Sequence, residues 1–171
     1  MIKKPFLIFI LLTLVGLVAY MLLPTPKYPA PPPDAVQSME KADTEDPLRR
    51  AYFTNYTREQ VIDHYRNHFR YQPFILRLNY PPEDSQTIIR DQTRSTYLEE
   101  LVHPLRESLY INGFEPRVPK DDIWYKGVHY GQKIIIKFVP TSLFVRLPVA
   151  LISLLSLFVV AWQYIPSRKR K

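Results

Sequence analysis

His64 and His68 are the first side chains in this 171-residue chain whose types and spacing could do chemistry. Four residues apart on a helix, two imidazoles share a face and can grip one zinc ion. Zinc-protease chemistry also needs a glutamate beside the first histidine as general base, and that position holds Tyr65. The remaining imidazoles are His103 and His129, and neither stands at a ligand spacing. The pair therefore reads as the polar border of an amphipathic helix, and no metal site is assigned.

Adjacent carboxylates occur at Glu83-Asp84, Glu99-Glu100 and Asp121-Asp122. A glycosidase holds its two acids about 5 to 10 Å apart across a cleft, which neighbouring residues seldom achieve. Glu83-Asp84 suits a helix start, where negative charge meets the positive end of the peptide dipoles, and Asp121-Asp122 suits a turn. There is no G-x-S-x-G elbow for a serine nucleophile. The absence of cysteine excludes disulfides, thiolate metal ligands and cysteine nucleophiles. Four glycines against 17 prolines leave no glycine-rich phosphate cradle. No catalytic, cofactor-binding or metal-ligating residue is assigned, and the chain reads as non-enzymatic.

A second kind of chemistry is recognition. Tyr110, Phe114, Trp124, Tyr125 and Tyr130 concentrate aromatic surface in one third of the chain. Partner-binding faces are enriched in such residues, and so are small cores and surfaces lying on lipid headgroups. These five are the candidate interface residues.

The elements that would position them begin with two apolar runs. Pro5 to Leu23 and Leu147 to Ile165 each contain 19 residues without a charge. At about 1.5 Å per residue, each matches the hydrocarbon thickness of a bilayer, roughly 30 Å. The chain carries a formal charge of +7, yet 16 Lys/Arg balance 16 Asp/Glu between residues 24 and 142. The surplus sits at Lys3, Lys4, Arg146, Arg168, Lys169, Arg170 and Lys171. Positive flanks stay in the cytoplasm, so Lys3, Lys4 and the terminal Arg168–Lys171 cluster set the topology. A neutral middle region also argues against nucleic acid, whose phosphates demand a local cation excess. Arg146 precedes Pro148 and is placed at the outer interface, where a long cation can snorkel.

The expected organisation is an N-terminal anchor over 1–23, uncleaved because no small-x-small site follows it, and a proline-rich linker over 24–33. An extracytoplasmic α+β domain follows over 34–142, then a transmembrane helix over 143–165 and a basic cytoplasmic tail over 166–171. Six prolines between Pro24 and Pro33 predict a stiff polyproline II spacer. Residues 34–55 read as draped or loose, with a short helix near Ala35 to Lys41. Asn55-Tyr56-Thr57 is a glycosylation sequon, and Thr57-Arg58-Glu59-Gln60 also fits a capping box that opens a helix to Arg70. Val61, Ile62, Tyr65 and Phe69 form its apolar face. Alternation from Tyr71 to Tyr80 predicts a strand with Phe74, Leu76, Leu78 and Tyr80 on its buried side. Helices are predicted over 83–92 and over Pro104 to Ile111, the latter stopped by Asn112-Gly113. Residues 96–102 fit either a helix or a strand, with the strand preferred. A hairpin over 123–139 turns near Lys126-Gly127, with Ile134, Ile136 and Phe138 on one face.

The fold class expected is therefore a membrane protein with two transmembrane helices enclosing one small α+β domain. That domain would have three or four mainly antiparallel strands and two or three helices on one face. The expected function is a membrane-anchored envelope protein that presents this domain to another membrane or cell-surface protein. A bacterial cytoplasmic membrane is the expected location, with both termini cytoplasmic. The rival classes are an enzyme of cell-wall or lipid-linked substrates, and a small subunit acting through its transmembrane helices.

Overall fold

The computed structural model describes residues 4–69, 74–90 and 94–164. They fall into two units, one made of the terminal segments up to Pro24 and from Thr141, the other spanning Thr25–Pro140. Lys3 and Arg168, Lys169, Arg170 and Lys171, expected to set the topology, lie outside the described residues.

The terminal unit is a helix pair. Helix α1 covers Lys4–Leu22. Among the described residues one helix is long and apolar enough to cross a membrane: it lies in Leu143–Val160, with mean hydropathy 2.4, and the shorter apolar stretch of α1 is Leu12–Leu22. The C-terminal end of α1 is capped by a side chain far along the chain. The buried Arg146 guanidinium donates from Nη1 to the carbonyls of Met21 (3.4 Å) and Leu23 (3.3 Å), and from Nη2 to that of Thr141 (2.7 Å). A cation suits that place, because the last carbonyls of a helix lack intrahelical donors and carry partial negative charge. Arg146 is thus buried against backbone within this unit. Ser142 caps the start of α5 at this same end of the pair, its Oγ accepting from the Phe144 amide at 3.3 Å.

The Thr25–Pro140 unit is an antiparallel, sheet-rich α+β domain. In chain order it contains β1 (Val36–Gln37), α2 (Lys41–Thr44), β2 (Arg49–Thr54), α3 (Arg58–Phe69) and β3 (Leu76–Tyr80). A 3-10 turn and α4 (Ser85–Ile88) follow, then β4 (Tyr97–Val102) and β5 (Ser108–Phe114). The last strands are β6 (Ile123–Tyr125), β7 (Val128–Tyr130) and β8 (Gln132–Val139), after which α5 (Leu143–Tyr164) begins in the terminal unit. Six strands form one sheet in the order β1-β2-β8-β5-β4-β3, and β6 and β7 form a separate ribbon. The sheet is wider than the three or four strands expected, and helices lie on both of its faces.

Helix α3 opens with the expected capping box. Gln60 Oε1 accepts from the Thr57 amide at 2.8 Å, and Thr57 Oγ accepts from the Gln60 amide at 3.4 Å. Its buried residues are Val61, Ile62, Tyr65 and Phe69, which pack on Tyr52, Tyr97, Leu101, Leu109, Ile111, Ile134, Ile136 and Phe138 of the sheet. Complete burial of such side chains stabilises by about 1.5 to 3 kcal/mol each before entropy is counted. On the opposite face, Ile88 and Ile89 pack on Ala51, Leu98 and Ile135. That segment is pinned by cations: Lys137 Nζ donates to the Ile88 carbonyl at 2.7 Å and Arg49 Nη1 to that of Ile89 at 3.3 Å.

Several expectations are corrected. Pro104 to Ile111 is not a helix: residues 103–107 make a tight turn, with the Arg106 amide on the His103 carbonyl at 2.9 Å and Leu105 at φ 61°, and β5 follows. Gly113 is no helix cap but a strand residue near the end of β5, directly opposite Tyr97. The short helix near Ala35 gives way to β1, and the segment expected to drape contains β2, a sheet strand flanked on both sides. The apolar side of β3 faces out, with Leu76 51% and Leu78 40% exposed, while Arg77 turns toward α3. The proline tract is not a free spacer. Tyr28 Oη donates to the Ile136 carbonyl at 2.9 Å, and Pro29 and Pro32 are buried. The predicted helix over 83–92 shortens to the 3-10 turn Pro82–Asp84 and α4, with 91–93 outside the described residues.

Candidate functional site

Register divides the sheet into two poles. At the near pole the pairs Leu76↔Val102, Val102↔Ser108 and Ser108↔Val139 form one rung, and Tyr28 lies close by against Ile136 and Phe138. The chain therefore joins and leaves this domain at the same pole. At the far pole the pairs Thr54↔Gln132 and Tyr97↔Gly113 close the sheet, about 23 Å away at 3.3 Å per residue along β8. Residues 115–131 leave β5 and return to β8 at this far pole, and they carry most of the candidate aromatics.

The ribbon β6–β7 is anchored along one face, from its turn to its base. Tyr125 stacks on Phe53 of β2 with ring centroids 4.4 Å apart, and Tyr130 is buried against the same ring at 5.7 Å. Lys126 and Gly127 form the turn at φ 51° and 77°, the left-handed values that a two-residue hairpin turn requires. With that face fixed, the side chains of the other face are held out of the core. Trp124, 66% exposed, and its exposed cross-strand partner His129 form that outer face, while Val128, the partner of Tyr125, is 50% exposed on the clamped one. The Trp124 ring lies 5.2 Å from that of His129, whose Nε2 is 4.0 Å from Asp122. Lys126 Nζ sits 5.3 Å above the Tyr125 ring.

Beside the ribbon, at the same pole, a pocket of about 410 Å³ is lined by residues that include Glu83, Ser95, Phe114, Glu115, Arg117 and Asp121. Arg94 pairs with Asp121 on its rim. Phe114 supplies an apolar wall among charges of both signs.

The structure thus brings Trp124, Tyr125 and Tyr130 together at the far pole and places Phe114 in the neighbouring pocket. Tyr110 is elsewhere, mid-sheet on the face opposite α3, 6.3 Å from Tyr80. Tyr80 Oη donates to the Glu100 carboxylate at 2.5 Å, and that bond to a carboxylate pushes the Tyr80 hydroxyl up to about 12. Burial, with Glu100 nearby, also pushes Tyr110 up to about 12. Phe53, on which the ribbon stands, was the residue missed. Its alternation with Ala51 in a strand is the signal that would have found it.

The groups singled out for catalysis have structural partners. His64 Nε2 meets the Ala30 carbonyl at 3.0 Å, and His68 Nδ1 meets the His64 carbonyl at 2.7 Å. Burial lowers the His64 pKa, which disfavours the imidazolium. His103 is buried, stacked on Phe69 at 4.3 Å and 3.1 Å from Glu107. Glu99 and Glu100 point to opposite faces of the sheet: the fully buried Glu99 carboxylate lies 2.6 Å from Arg58 and pairs also with Arg77. Two bonds to carboxylates, Glu99 first and Glu59 second, hold the Arg77 pKa above its usual value. No group of three His, Asp or Glu side chains that could hold a metal ion occurs among the described residues. Comparison with protein families, with curated proteins and with solved structures finds no match to this chain.

Proposed function

We propose that this is a non-enzymatic membrane-anchored envelope protein that presents its sheet domain outside the cytoplasm to another membrane or cell-surface protein. In this reading both apolar helices insert, both termini stay in the cytoplasm and the far pole makes the contact. The observation that carries it is the placement of Trp124, exposed on the outer face of a ribbon whose other face is clamped by Tyr125 at the pole opposite the chain's own exits. Tryptophan in the centre of a patch with a polar rim is the usual energetic anchor of a protein interface. Lys120, Lys126 and Asp122, all exposed, supply such a rim. Rigid support matters because an ordered anchor loses less entropy on binding. The bacterial cytoplasmic membrane is the proposed location, on the strength of the apolar helix α5 and the cations that follow it in sequence.

The test is photocrosslinking in living cells. A photoreactive residue replacing Trp124 should capture one specific protein, and the same residue replacing Asp63 on the exposed side of α3 should not. Capture of lipid and self alone from position 124 would overturn the proposal.

A second reading has its own observation. The pocket beside Phe114 groups Glu83, Glu115 and Asp121 with Arg117, which suits an enzyme of cell-wall or lipid-linked substrates. Hydrolysis of such a substrate that is lost in Glu115→Gln but kept in Trp124→Ala would favour it over recognition.

A further inference from the structure

We propose that the near pole of the sheet domain is a lipid-binding surface that rests in the headgroup layer of the bilayer. This rests on the reading that α5 spans that bilayer.

The last rung of the sheet is made of Leu76, Val102, Ser108 and Val139, which are successive partners across four strands and so share one face. Leu76 and Val139 are exposed there. Beyond the rung, Leu105 at the tip of the β4–β5 turn is 63% exposed, and Leu48, whose carbonyl accepts from the Phe138 amide, is exposed as well. Leu105 takes the left-handed φ of 61°, a conformation unusual for leucine, at this turn. Four large apolar side chains thus project at one end of a domain whose formal net charge is zero.

The occupant follows from chain continuity. Val139 closes the rung, and the apolar helix begins at Leu143, four residues later. That is at most about 14 Å of chain, so whatever α5 enters lies within reach of this rung. Cations stand at the same pole on the α3 side of the sheet, across from the rung: Lys27 is exposed just before Tyr28, and Arg66 is exposed in the last turn of α3, near the buried Phe69. Apolar side chains flanked by lysine and arginine are the composition of segments that lie in a headgroup layer. A bilayer also satisfies all four residues at once without a partner-specific shape.

Since the chain lacks cysteine, single-thiol variants carry one probe each. The full chain is reconstituted in vesicles of phosphatidylethanolamine and phosphatidylglycerol whose acyl chains are brominated near the headgroup. An environment-sensitive fluorophore is placed at Leu76→Cys, Leu105→Cys, Val128→Cys or Val159→Cys. Bromine should quench the probes at 76 and 105 at least about twofold more than the probe at 128, as interfacial burial requires. Quenching at 76 and 105 equal to that at 128, with 159 strongly quenched, would overturn this inference and leave the membrane reading intact. Absence of quenching at 159 would overturn both. Crosslinking of residue 105 to a second copy or another protein, without quenching, would assign the surface to protein instead.

Discussion

Tyr125 lies on Phe53 with the two ring planes 23° apart, so a ribbon that forms a sheet separate from the main one is held to it by this stack together with the buried Tyr130 on the same ring. Offset aromatic pairs contribute about 0.5 to 1.5 kcal/mol beyond the area they bury. Truncating the two neighbouring aromatics should therefore separate support from contact. Trp124→Ala should leave the thermal midpoint of the domain within about 2 °C, as expected for an exposed position. It should weaken partner capture by tenfold or more, as loss of a central anchor does. Tyr125→Ala should speed amide exchange across β6 and β7 and weaken capture as well. Equal amide exchange in the two variants would contradict the division of labour.

Gly113 faces Tyr97 so closely that a Cβ added there would come 2.1 Å from the ring carbon Cζ. The ring cannot easily give way, because Tyr97 is buried and its hydroxyl donates to Gln132 Oε1 at 2.7 Å. Gly113→Ala should cost at least about 1 to 3 kcal/mol, the usual penalty for overpacking. The paired change Gly113→Ala with Tyr97→Leu should cost less than the two single changes added, by about 1 kcal/mol or more. Denaturant unfolding of the four proteins measures this, and strict additivity would refute the close contact.

Glu99 is the one carboxylate shared by Arg58 and Arg77 beneath α3. Glu99→Ala leaves Arg77 with Glu59 and Arg58 with Asn79, but removes the buried carboxylate that both guanidinium groups share. Removing one partner of a buried pair costs about 3 to 5 kcal/mol. Here both arginines keep about a third of their surface exposed and can regain water, so a loss of about 2 to 3 kcal/mol is expected. A midpoint unchanged in urea would show that the pair contributes nothing.

His64 gives the domain a pH dependence of known sign. Burial lowers its pKa below the ordinary value of 6.5, so the unfolded chain binds the proton more readily than the folded one. Its contribution is fully present above pH 6.5 and is lost as pH falls through the folded value. His64→Gln should flatten the stability profile on the acid side of pH 6.5 and leave it unchanged at pH 8. Steepening in the variant would reverse the assignment.

The parts of the fold that could be read in advance were those whose signal is local. The capping box at Thr57 and the apolar spacing of Val61, Ile62, Tyr65 and Phe69 located α3, and Lys126-Gly127 located the ribbon turn. Ile134, Ile136 and Phe138 do share the buried face. Misreadings arose where the long-range partner decides. Pro104, Leu105, Leu109 and Gly113 imitate a helix with its start and stop, but Leu109 and Ile111 pair across strands with Phe138 and Ile136, and that pairing prevails over local propensity. Leu76 and Leu78 promised a buried face, yet β3 is an edge strand and its neighbour's buried Glu99 draws Arg77 inward instead. β2 went unseen because Arg49 and Arg50 disguise its alternation, although Arg49 is buried on the carbonyls that follow α4. Of the candidate surface, Trp124, Tyr125 and Tyr130 were legible as neighbours in sequence. The exile of Tyr110 to mid-sheet depends on strand parity, which required the register of β5.

Everything proposed for the two poles turns on which side of a membrane the sheet domain occupies. Intact cells making Lys120→Cys or Lys171→Cys can be treated with a maleimide that does not cross lipid. The domain thiol at 120 should react at once, and the tail thiol at 171 should react only after the membrane is opened. Labelling of 171 in intact cells with 120 protected would contradict the arrangement outright.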